Sequence, residues 1–147
     1  MAQTSSLDTA ARRRTRRVLI QLIYQWQLTE EALATLRAQF MLEIESKEAD
    51  LDYFDRVMDV FFEVLPQLDA QLSKHLSRDF NELTMVEKAV LRLAAFELLH
   101  CPDVPYKAVI NEALELNKRF GAKEGHRFVN GVLDALAREC RAEEIGG

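Results

Sequence analysis

The scarcity of chain-breaking residues most restricts what this chain can fold into. Three prolines and five glycines punctuate 147 residues. Most of them stand where segments with apolar residues three and four apart begin or end. No stretch alternates apolar and polar residues between turn pairs, as paired strands require. The fold class this predicts is all-α, a single domain over residues 1–147 with loose ends at 1–8 and 141–147.

The helix limits follow from start and stop signals. The first helix is expected from about Thr9 to Leu28, with Asp8 as its cap and Val18, Leu19, Leu22, Ile23 and Trp26 on its apolar face. Thr29, before Glu30 and Glu31, reads as the cap of a second helix carrying Leu33, Leu36, Phe40 and Ile44. A third holds Leu51, Phe54, Val57, Met58, Phe61, Phe62 and Leu65; Pro66 ends it, kinks it or opens the next. Thr84 and Glu87 form a capping-box pattern ahead of a very apolar helix at 85–100, the kind that sits centrally in a bundle. Pro102 stops that helix, and Pro105 starts another that ends near Phe120, with Gly121 expected in the left-handed cap conformation. The last helix runs from Lys123 or Glu124 to about Glu139.

Charge limits the partners. The chain carries −5 overall, yet Arg12, Arg13, Arg14, Arg16 and Arg17 contribute +5 within six residues, so the remainder carries −10. Much of that lies between Glu43 and Glu63 and reads as a solvated acidic face. General attraction to polyanions is thereby excluded as the main force, and nucleic acid would have to bind a local basic surface. The longest apolar run is too short for a membrane span, and the first eleven residues lack the apolar core of a secretory signal, so the chain reads as cytoplasmic. Cys101 and Cys140 stand apart with no CxxC spacing, as in a reducing compartment. The three histidines show no metal-ligand spacing and no nucleophile or phosphate-loop motif is present, so neither a cofactor nor catalysis is expected.

At 100° per residue, the apolar residues of the first helix share one sector. Arg13, Arg17 and Tyr24 lie almost opposite, with Ile20 among them; Arg14 and Gln21 flank that stripe, and Arg12 and Arg16 start near the core edge. Guanidinium groups bind phosphate through paired hydrogen bonds and stack on bases, and a polyanion relieves their mutual repulsion. The same row could instead pair with nearby acids, form a basic tail or dock an acidic protein. On the last helix Val129, Val132, Leu133 and Leu136 face inward and Lys123, Arg127, Asn130 and Asp134 outward. Phe128 falls between, as core or as a ring on which a base stacks.

Four segments together resemble one family. ARRRTRRVLIQLIYQWQL at 11–28, VEKAVLRLAAFELL at 86–99, DVPYKAVINEALELNKRFG at 103–121 and HRFVNGVLDALA at 126–137 are similar, in order, to the NusB family of bacterial transcription antitermination factors. The resemblance implies about seven helices in two packed sub-bundles. It also implies binding to boxA RNA of ribosomal RNA operon leaders, jointly with the ribosomal protein NusE. Other Nus factors and RNA polymerase complete the assembly, and the protein is a monomer or a homodimer.

The resemblance also implies roles for particular residues. Arg12, Arg13, Arg14, Arg16 and Arg17 fall in the family's RNA-binding segment, with Gln21 beside them. Lys123, Glu124, Arg127, Phe128 and Asn130 match a second RNA-approaching region, where glutamate at 124 replaces a familiar aspartate. Tyr24 and Glu87 match positions that contact NusE. Two rival readings are the NusB-like domain of a truncated ribosomal RNA cytosine methyltransferase and a helical module that docks an acidic protein.

Overall fold

The structure is a computed structural model that describes residues 6–121 and 124–146. Among them the apolar periodicity becomes seven α-helices: α1 Ser6–Thr29, α2 Leu33–Ser46, α3 Leu51–Ser73, α4 Met85–His100, α5 Tyr106–Phe120, α6 Gly125–Cys140 and α7 Ala142–Gly146. A 3-10 turn, Phe80–Glu82, precedes α4. The chain divides into two compact units, Met1–Phe62 and Glu63–Gly147, and the division falls within α3. None of the described helices is long and apolar enough to cross a membrane.

In the first unit α1 packs on α2. Val18, Leu19 and Leu22 of α1, Leu36 and Ile44 of α2, and Phe54 and Phe61 of α3 are essentially inaccessible to solvent. Each such side chain contributes about 1.5–3 kcal/mol through removal from water. Trp26 is half-buried, edge-on to Phe62 with ring centroids 5.1 Å apart. In the second unit α4, α5 and α6 pack on one another. Every α4 residue from Ala89 to Leu98 except Arg92 is buried, as its apolar circumference predicts for a central helix.

Several local expectations need correction. The first helix is already formed at Ser6, so Asp8 lies inside it and is not its cap. Thr29 does not cap α2: it ends α1, donating its hydroxyl to the Gln25 carbonyl at 2.9 Å and accepting the Glu31 N–H. Glu30 then turns the chain with φ 52°, and α2 starts at Leu33 without a side-chain cap. Pro66 lies inside a continuous α3. The Thr84–Glu87 capping box forms as expected, with both reciprocal bonds at 3.0 Å. Gly121 is extended (φ −121°, ψ −166°) and not left-handed. Glycine is needed there for space, because a Cβ would stand 2.9 Å from the Asn117 carbonyl oxygen and 3.1 Å from Val86.

Candidate nucleic-acid interface

The arginine-rich part of α1 faces the turn that joins α2 to α3. Asp50 organises this corner. Its Oδ1 accepts the Tyr53 N–H at 3.0 Å, which caps α3, and its Oδ2 accepts from Arg12 Nε at 3.2 Å. Its own N–H donates to the buried Thr15 hydroxyl at 2.7 Å, and Thr15 in turn donates to the Ala11 carbonyl. The Arg12 guanidinium lies over the Tyr53 ring, 4.0 Å from its centroid, and that of Arg16 lies 5.9 Å from the same ring. Arg14 donates to the Glu48 carbonyl at 2.8 Å. An open cleft of about 540 Å³ runs past Ala11 and Arg14 along residues 48 to 52.

The five arginines therefore differ in their access to solvent. Arg13 is exposed; Arg12, Arg14 and Arg17 are half-buried; Arg16 retains only 5% of its accessible surface. Gln21 is half-buried and donates to the Arg17 carbonyl at 3.2 Å. The outward stripe expected from the wheel is also interrupted. Ile20, placed among Arg13, Arg17 and Tyr24, is 1% exposed and belongs to the core. A wheel gives angles about one axis and cannot show that α1 is covered on more than one side.

In the second unit the start of α6 carries Glu124, Arg127 and Asn130 exposed to solvent, while Val129, Val132, Leu133 and Leu136 are buried. Lys123 lies outside the described residues. Glu124 occupies the cap position in a helical conformation, and its side chain bonds no helix N–H. Phe128 is half-buried, and the exposed Arg78 covers its ring with the guanidinium carbon 4.1 Å from the centroid. Arg78 and Asp50 were not singled out from sequence. A lone arginine before an Asp-x-x-Glu pattern, and an aspartate in an acidic run, carry no periodic signal. Tyr53, too, reads simply as part of an apolar helix.

The two positions matched to a protein partner stand differently. Tyr24 keeps 38% of its surface exposed. Glu87 is 9% exposed, with Oε1 committed to the Thr84 N–H and Oε2 only 3.3 Å from where a Cβ on Gly125 would lie. No group of three or more potential metal-ligating side chains exists among the described residues.

An all-helical protein with a basic surface helix on an otherwise acidic chain is the class that fold and charge define. The family model of the NusB family matches residues 13–138. The transcription antitermination protein NusB of Tolumonas auensis is 46% identical over 133 residues, covering 90% of this chain and 96% of that protein. Its counterpart from Pseudoalteromonas translucida is 46% identical over 135 residues, covering 92% and 99%. Among solved structures, T. maritima NusB aligns with TM-score 0.78 and 32% identity over 92% of this chain and 97% of that one. A crystal structure of antitermination factors NusB and NusE in complex with dsRNA aligns with TM-score 0.76 and 26% identity, covering 88% and 98%. This chain belongs to the NusB family.

Proposed function

We propose that the chain is a transcription antitermination factor that binds boxA RNA of ribosomal RNA operon leaders together with NusE. On this reading it works in the cytoplasm, in an assembly with other Nus factors and RNA polymerase. It catalyses nothing: its output is the coupling between RNA binding and partner binding. The observation that carries the reading is the exposed Arg13 and its neighbours on α1, a local concentration of positive charge on a chain of net charge −5. Membership of the NusB family supports it, as does the similar fold of a NusB solved with NusE and RNA.

Within this reading the α1 arginines divide the work. Arg13, the most exposed, contacts phosphate directly, with Arg17 one turn along. Arg12 and Arg16, held against Tyr53, contribute field more than contact. Arg127 and Asn130 serve the RNA from the second unit. Tyr24 is the better candidate for NusE, because Glu87 is already engaged in its cap.

The test is a fluorescence titration with boxA RNA and a scrambled RNA, with and without NusE, at several salt concentrations. Preference for boxA, strengthened by NusE, is expected. Arg13→Ala should reduce the salt slope by about 0.7, and Tyr24→Glu should chiefly weaken the NusE effect. Equal weak binding to both RNAs, unchanged by NusE, would remove the boxA reading. An Arg13→Ala slope equal to that of the parent would remove the phosphate role.

A further inference from the structure

Arg78 and Phe128 come from different parts of the second unit. Arg78 lies in the connection between α3 and α4, whereas Phe128 is in the first turn of α6. Because Phe128 is half-buried and Arg78 exposed, the guanidinium is the outer layer of the pair. The backbone beside Arg78 is held firmly. Asp79 caps the 3-10 turn through the Asn81 N–H at 2.9 Å, while its own N–H donates to Glu82 at 3.2 Å, completing a capping box. The next residue, Phe80, packs beneath cations from α4, with Lys88 at 5.5 Å and Arg92 at 4.9 Å from its centroid. Arg92 is itself fixed by two hydrogen bonds to Asp69, at 2.9 and 2.8 Å.

We infer that Arg78 is a stacking platform for an unpaired nucleobase, backed by the Phe128 ring. Guanidinium is planar and weakly hydrated, so it can lie between two π faces, and single-stranded RNA is commonly gripped through such layers. Contact with the Phe128 ring, 4.1 Å from the guanidinium carbon, already restrains the Arg78 side chain, so less side-chain freedom remains to be lost when a base closes the stack from above. The contact reads the presence of a base and not its identity, because every base has a π face. Exposed Arg127 and Asn130 on the same helix stand within one turn of Phe128 for the adjoining phosphate or base edge. This rests on the proposed RNA-binding function and adds a residue to it.

The experiment compares the full chain with Arg78→Lys, Phe128→Leu and the double variant. Each is titrated with boxA RNA and with a set of boxA RNAs carrying one abasic nucleotide each. Lysine keeps the charge and loses the plane, so Arg78→Lys should bind about tenfold more weakly while the salt slope stays unchanged. Phe128→Leu should lose a similar factor, and the double variant little more, because each removes the same stack. One abasic position should weaken the parent by about that factor and leave Arg78→Lys unaffected. Circular dichroism and thermal melts confirm that each variant folds; Arg78→Lys keeps the argument testable if Phe128→Leu does not. Specific boxA binding with Arg78→Lys equal to the parent, or with no abasic position coupled to residue 78, overturns the stack and leaves the proposed function standing. Loss of any preference for boxA in the parent overturns both.

Discussion

Glu48 illustrates how a single residue can serve the candidate site at a local cost. It adopts φ 52°, one of two described non-glycine residues with positive φ, and its carbonyl accepts from Arg14. The left-handed region costs a residue with a Cβ about 1–2 kcal/mol. The Glu48 carbonyl, not its carboxylate, makes the bond to Arg14, so the side chain is dispensable there. Glu48→Gly should therefore stabilise the first unit by about 0.5–1 kcal/mol, after allowance for the greater freedom of glycine in the unfolded chain. A rise in the urea midpoint at constant slope is the expected readout; a fall would mean that the exposed carboxylate supports the turn. Residue identity is informative here only alongside conformation, since nothing in the string SKEAD at 46–50 marks its third position, Glu48, as left-handed.

At the scale of elements, Asp50 ties α1 to the start of α3, and it does so by occupying Arg12. Replacing it with asparagine separates its two roles. Asparagine caps a helix about as well as aspartate does, but removes the negative charge that pairs with Arg12 at 3.2 Å. If α1 holds phosphate, Asp50→Asn should tighten RNA binding severalfold at low salt and steepen the salt slope by about 0.7, because one more cation becomes available. An unchanged slope with unchanged melting would show that Arg12 stays with Tyr53 and never reaches the RNA. The C-terminal end of α4 has a comparable tie. Buried Arg141 donates to the carbonyls of Leu98 at 2.8 Å, Glu97 at 3.1 Å and Cys101 at 3.0 Å, and to Glu144 at 2.6 Å. It thereby satisfies carbonyls that the helix leaves open and places positive charge at the negative end of the dipole. The same bonds hold the start of α7, in the region where the sequence alone suggests a loose end.

For the molecule as a whole, charge placement determines response to pH and salt. In the second unit, hydrogen bonding from His75 and then Lys74 holds the Glu139 carboxyl below its ordinary value of 4.5. The Tyr106 N–H and Arg141 hold Glu144 below it as well. A carboxyl with a depressed folded pKa contributes stability that is fully present above its unfolded value and is lost as the pH falls through the folded one. The second unit should therefore lose stability as the pH drops below about 4.5. In a carboxyl-detected NMR titration, His75→Ala should move Glu139 upward; an unmoved Glu139 would assign the shift elsewhere. The amino-acid sequence by itself determined the helical class, the central position of α4, its capping box and the basic character of α1. Those depend on spacing within one helix or on residues three apart, and such relations survive in a linear string. Only the tertiary structure decided which arginines remain accessible, that Ile20 is core, that Glu87 is buried beside Gly125, and that Arg78 covers Phe128. Each of those depends on what another segment brings to the same place, and a helical wheel has no term for a neighbour.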